Sequence, residues 1–327
     1  MTELNNKYDK PDKNENGEEG KNINSSSLKN IHPVISPISA AFLGLIGGFF
    51  LYQIVGGLLT ILIFGSNVEH ASIIGLRLMT MAGQILFILL PALLFAKWVY
   101  HDITKIIRFR LAPFNEILLF VLGIIILTPL LQYYIAIQTF AIDHLAQSYS
   151  LINSLKILLD KLNSFVDKTY INLLTAHSVF EGILVIIVVS IVPAICEEVM
   201  FRGYIQRSFE FKMKPVWAAL LTAIFFGLYH FNPYGLIPLI GLGFYFGYAA
   251  IKSDSIVVPM SLHFLNNFVA IILFFIYGNK DILNTHPSQV GSLESSIIMF
   301  FILLVLFIGV IFLIRNYYKQ KIKIIGG

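Results

Sequence analysis

Cysteine is nearly absent: the 327-residue chain has one, Cys196. That excludes an internal disulfide framework and a cysteine-ligated zinc site. Cys196 stands beside Glu197, whose charge disfavours a thiolate, so the thiol reads as inert and buried rather than as a nucleophile. Charge is scarce too. Lys, Arg, Asp and Glu make up 13% of the residues, about half the share of an average soluble domain. The net charge is +4, and no basic stripe offers a surface to nucleic acid. There is no Gly-rich phosphate loop and no activated serine or cysteine, which leaves water as the candidate nucleophile. No basic-then-apolar signal with a cleavage site opens the chain, so the first spanning helix is expected to direct insertion.

Apolar residues fill the space that charge leaves. They are 57% of the chain, and mean hydropathy is +0.77. Several runs reach the ~20 residues that cross a bilayer as helix. The pattern predicts an all-α polytopic membrane bundle of about eight transmembrane helices, near 37–64, 72–99, 114–141, 179–205, 215–231, 235–251, 256–278 and 294–315. Residues 1–33, rich in Asn, Lys, Glu, Gly and Ser, read as a disordered cytoplasmic tail. N-terminal transmembrane helices occupy 34–141. An amphipathic extracytoplasmic loop or lid follows over 142–177, with a short helix near 151–166. A helical core spans 178–278, and the last transmembrane helix with a basic C-terminal tail covers 279–327. Lys97, Lys105, Arg108, Arg110, Arg207, Lys212, Lys214, Lys252, Arg315, Lys319, Lys321 and Lys323 fall in segments that alternation places on one side. The positive-inside bias makes that side, with both termini, cytoplasmic. Gly44-x-x-x-Gly48 and Gly243-x-x-x-Gly247 are patterns that permit close helix packing.

Against this background three polar pairs stand out: Glu197-Glu198-x-x-x-Arg202, Phe226-x-x-x-His230 and His263-x-x-x-Asn267. Ionisable groups inside membrane helices are expensive and usually mark a working site. Glu198 and Arg202 are four apart and share a helix face, while Glu197 points about 100° away. Arg202 can therefore hold Glu198 as a structural pair and leave Glu197 for chemistry. Singly, His230 reads as an interfacial histidine and Asn267 as a packing amide. Together these groups need partners within hydrocarbon, and the cheapest are one another. His230 and Glu197 reach one depth only if the fourth helix continues to about 205–210. A carboxylate with an imidazole can activate water, and a second imidazole with an amide can donate to an oxyanion, which suits amide hydrolysis. One Glu with two His nitrogens is equally a set that zinc accepts.

At these residues the chain resembles the CAAX-processing and bacteriocin-processing (CPBP) family of intramembrane proteases, which includes the Ras-converting CAAX endopeptidases. The resemblance rests on all three motifs in order, with Phe201-Arg202-Gly203-Tyr204 completing the first, and covers about residues 178–275. It implies a membrane endopeptidase in which Glu197 and His230 activate water and His263 and Asn267 form the oxyanion side. Glu198, Arg202 and Phe226 support them. It implies a peptide or membrane-protein substrate in a lipid bilayer. The Lys- and Asn-rich tail and the abundant Ile read as bacterial, which predicts a bacterial plasma membrane. The family is treated both as glutamate-type and as metalloprotease, with zinc, if used, on Glu197, His230 and His263. A non-enzymatic immunity or scaffold protein that binds a peptide or partner is the alternative reading. A carrier would show internal repeats, and the two halves of the chain are not similar.

Overall fold

The computed structural model describes residues 31–65, 71–278 and 292–326. Nearly all of the expected tail and most of the 279–292 stretch lie outside these. Ten helices account for the described chain: α1 (Pro37–Phe64), α2 (Ile73–Tyr100), α3 (Ile103–Ile107), α4 (Phe114–Ser148), α5 (Ser150–Leu174), α6 (Val179–Glu210), α7 (Pro215–Tyr229), α8 (Leu236–Ser253), α9 (Val257–Tyr277) and α10 (Leu293–Gly326). Their starts follow local chemistry. Proline sits in the first turn of α1 and α7, where its missing N–H goes unused. The Ser72 and Ser178 hydroxyls cap α2 and α6 by accepting the Gly75 and Glu181 amides. Glu181 reaches back to accept from the His177 amide at 3.2 Å.

Among the described residues seven helices, not eight, are long and apolar enough to cross a membrane. The exception is α7. Its 15 residues rise about 22 Å, short of the ~30 Å hydrocarbon layer. Pro233 supplies the reason, because it disfavours helix at Asn232. The chain turns at Phe231, with φ 48°, and the Asn232 side chain accepts the Gly235 amide at 2.7 Å.

The 142–177 segment, expected as a loop or lid with a short helix, is helical for most of its length. α4 runs without a break to Ser148, and α5 extends the expected short helix to 25 residues. Likewise α10 carries the basic C-terminal residues onward as helix rather than as a tail.

The loops with the Lys/Arg excess meet at one end of the bundle. There Arg108 pairs with Glu210 and, at 3.3 Å, with Asp254; Arg110 donates to the Ser253 carbonyl; Lys321 pairs with buried Glu116. The Val34 amide bonds the Val99 carbonyl at the same end. At the other end buried Arg77 donates to the Leu173 and Thr175 carbonyls, and the Tyr234 hydroxyl donates to Asp160 of α5 at 2.6 Å. The apolar core joins α4, α8, α9 and α10 through Phe120, Ile124, Phe246, Leu262 and Ile314. Both glycine patterns lie in contact seams. A Cβ at Gly44 would stand 2.8 Å from the Tyr204 ring, and one at Gly243 would stand 2.9 Å from Phe226.

Candidate active site

α6 carries the first motif, and its continuation to Glu210 resolves the question of depth. Glu197 lies 13 residues before that end and His230 lies 15 residues into the returning arm that starts at Pro215. At 1.5 Å per residue both sit about 20 Å from the shared turn. The helix is not a uniform α-helix: Ile187–Ile191 and Val199–Ile205 are π-helical, a widening common at functional sites.

Two charged groupings form around the motif. In the first, Glu197 Oε2 stands 4.0 Å from His230 Nε2. His230 Nδ1 is 2.7 Å from the Phe226 carbonyl oxygen. A carbonyl only accepts, so the neutral ring carries its proton on Nδ1 and presents the Nε2 lone pair towards Glu197. In the second, Glu198 Oε1 receives the Arg202 guanidinium and His263 Nδ1, each at 2.8 Å. Glu198 and Arg202 are wholly buried. Arg202 also donates to the Gly243 carbonyl at 2.9 Å, and a Cβ at residue 243 would stand 3.2 Å from the guanidinium.

Phe226 joins the groupings. Its ring lies 4.7 Å from that of His230 and 6.0 Å from that of His263, and the Arg202 guanidinium sits 4.4 Å above it. Phe246 stacks on the His263 ring at 5.4 Å. Asn267 occupies a third position. Its amide donates to the Val189 carbonyl at 3.0 Å, the carbonyl that Pro193 leaves without a helical donor. Ser190 donates to the Phe264 carbonyl one turn away, so α9 is clasped to α6 at two points.

The sequence therefore paired Glu198 with Arg202 correctly and placed His230 beside Glu197. It did not reveal that His263 joins Glu198, nor that Asn267 reaches Val189. It also passed over Gln84 of α2, whose Nε2 donates to Glu197 Oε1 at 3.0 Å. The available signal was one uncharged amide in an apolar helix, with no motif around it. Among the described residues no three of His, Cys, Asp and Glu converge as a metal site. The His263 Nδ1 bond to Glu198 leaves Nε2 as the nitrogen that His263 could offer a metal.

Residues 179–269 match the family model described as type II CAAX prenyl endopeptidase Rce1-like. Over this segment the chain is similar to that family, in line with the CPBP resemblance of its motifs. The matched segment contains all three motifs. Its sequence is also similar to the Bacillus subtilis protein named "Putative membrane peptidase YdiL", at 32% identity over 90 residues. That alignment covers 28% of this chain and 37% of the relative, so the chain spans little more than a third of the relative it matches. No solved structure matches. α1 to α5 and α10 lie outside the matched residues.

Proposed function

We propose that the protein is an intramembrane endopeptidase that hydrolyses a peptide bond of a membrane-associated or peptide substrate. The observation that carries this reading is the Glu197–His230 pair at 4.0 Å, with the His230 tautomer set by Phe226. A water about 2.8 Å from each group bridges that distance. The carboxylate and imidazole take its proton as it attacks the peptide carbonyl, and the proton then passes to the leaving amine.

His263 and Asn267 supply the donors for the oxyanion. The Asn267 amide has two hydrogens and Val189 takes one, which leaves one for substrate. His263 donates through Nε2 only when both ring nitrogens are protonated, and the Glu198 carboxylate is the counter-charge that such a ring needs. Glu198 and Arg202 position these groups rather than react.

A comparison of membrane-protein N-termini in cells carrying the wild type or Glu197→Ala tests the reading. Precursors should accumulate, and matching cleaved N-termini should vanish, in the variant. Identical profiles, with the cellular phenotype intact, would favour the scaffold alternative. The part played by metal is read separately, by chelator treatment of purified enzyme followed by metal analysis. Retained activity in metal-free enzyme fits the water, Glu197 and His230 scheme. Stoichiometric zinc whose removal abolishes turnover would make Glu197, His230 and His263 ligands instead.

A further inference from the structure

Glu197 must do more than lie near His230: of its two oxygens, the one facing the imidazole must be the one that meets water. Nothing within the matched segment performs that selection, since Glu198 bonds Arg202 and His263, and Arg202 bonds Glu198 and the Gly243 carbonyl. The selecting contact comes from outside it. Gln84 is buried, opens the π-helical stretch Gln84–Leu89 of α2, and donates its amide to Glu197 Oε1 at 3.0 Å. The direction of this bond is determined by chemistry, because a carboxylate only accepts and the reversed amide would set two acceptor oxygens together. With Oε1 held, Oε2 is the oxygen presented to His230.

The first helix does something parallel for the partner group. Gln53 of α1 lies in the π-helical stretch Phe50–Gly56 and donates to the Tyr229 carbonyl at 3.0 Å, one residue before His230. The Tyr229 hydroxyl in turn donates to the Leu45 carbonyl of α1. One amide from the N-terminal helices thus bonds Glu197 itself, and another bonds the residue before His230.

We propose that Gln84 is a positioning residue for the reaction: its amide clamps one oxygen of Glu197 and thereby aims the other at the attacking water. The α1–α2 pair is then part of the catalytic apparatus of this chain. This inference rests on the endopeptidase reading. Misplacement of a reacting group by about 1 Å can slow a reaction ~10²-fold without altering binding. Gln84→Leu is close to Gln84 in size and has no donor. Its kcat should fall ~10- to 100-fold, with KM within about twofold and an unchanged melting temperature.

The probe is a synthetic peptide spanning a cleavage site found in the N-terminus comparison, assayed with full-length enzyme in detergent. Gln84→Asn, which keeps the donor on a shorter arm, should recover part of the kcat. Gln84→Glu, which sets a second carboxylate against Glu197, should recover none. Full kcat in Gln84→Leu while Glu197→Ala is dead would overturn the clamp and leave the endopeptidase standing. So would a kcat loss matched by a large fall in melting temperature, because the amide would then be a packing group. A Glu197→Ala enzyme that still cleaves the peptide would remove the endopeptidase reading and the clamp with it.

Discussion

Glu198 Oε1 accepts two donors at 2.8 Å, one from Arg202 and one from His263, inside a site from which water is excluded. Glu197 is bonded by a single neutral amide and is partly exposed. The two adjacent carboxylates should therefore fail differently when neutralised. Glu198→Gln leaves Arg202 buried without its counter-charge, a loss of about 3–5 kcal/mol, and should lower the thermal midpoint in detergent by several degrees. Glu197→Gln should melt like the wild type and cleave nothing. Equal melting of both variants would refute the difference. Asn267 separates in the same way. As an oxyanion donor, its loss in Asn267→Ala should slow turnover ~10²–10³-fold with little change in substrate affinity, measured as kcat and KM. Cys196→Ala should remain active under the proposed attack by water, and a folded but inactive variant would overturn that proposal.

At the scale of the helices, the narrow seam between α7 and α8 governs the second motif. Phe226, Ala223 and the Arg202 guanidinium all lie within 3.4 Å of where a Gly243 side chain would begin. Gly243→Ala should then cost about 1–3 kcal/mol by overpacking, visible as a lower thermal midpoint. A variant that melts unchanged would mean the seam has slack. What the sequence disclosed about these elements depended on spacing. Pairs four apart, such as Glu198 with Arg202 and Phe226 with His230, were legible because one helix sets their geometry. The partners of His263 and Gln84 are 65 and 113 residues distant, and no local period reports on contacts between helices. α7 starts at the expected Pro215 and ends at Tyr229, two residues before the expected 231, because Pro233 disfavours helix at Asn232. Hydropathy likewise undervalued α5. Its Leu151, Leu155, Leu158, Leu162 and Phe165 form one exposed apolar stripe beside a charged face, a pattern that scores between loop and span.

For the molecule as a whole, the two ends of the bundle differ in charge. The basic loops around Arg108, Arg110 and Lys212 gather at one end, and α5 covers the other. The positive-inside rule predicts that the first faces the cytoplasm. In a Cys196→Ala background, a membrane-impermeant thiol reagent added outside intact cells should label Ser154→Cys and miss Lys212→Cys. The opposite labelling would invert the assignment.

The shortness of α7 extends this to the surrounding lipid. Val216, Trp217, Ile224 and Leu228 are exposed on its outer side, so acyl chains must meet a helix about 8 Å shorter than an average hydrocarbon layer. A bilayer accommodates such a mismatch by thinning locally, at a fraction of a kcal/mol per ångström. His230 sits at the end of this helix, so thick membranes should pull on the segment that carries it. Reconstituted into phosphatidylcholine vesicles of increasing acyl length, the enzyme should be most active in thin bilayers and lose activity steadily as they thicken.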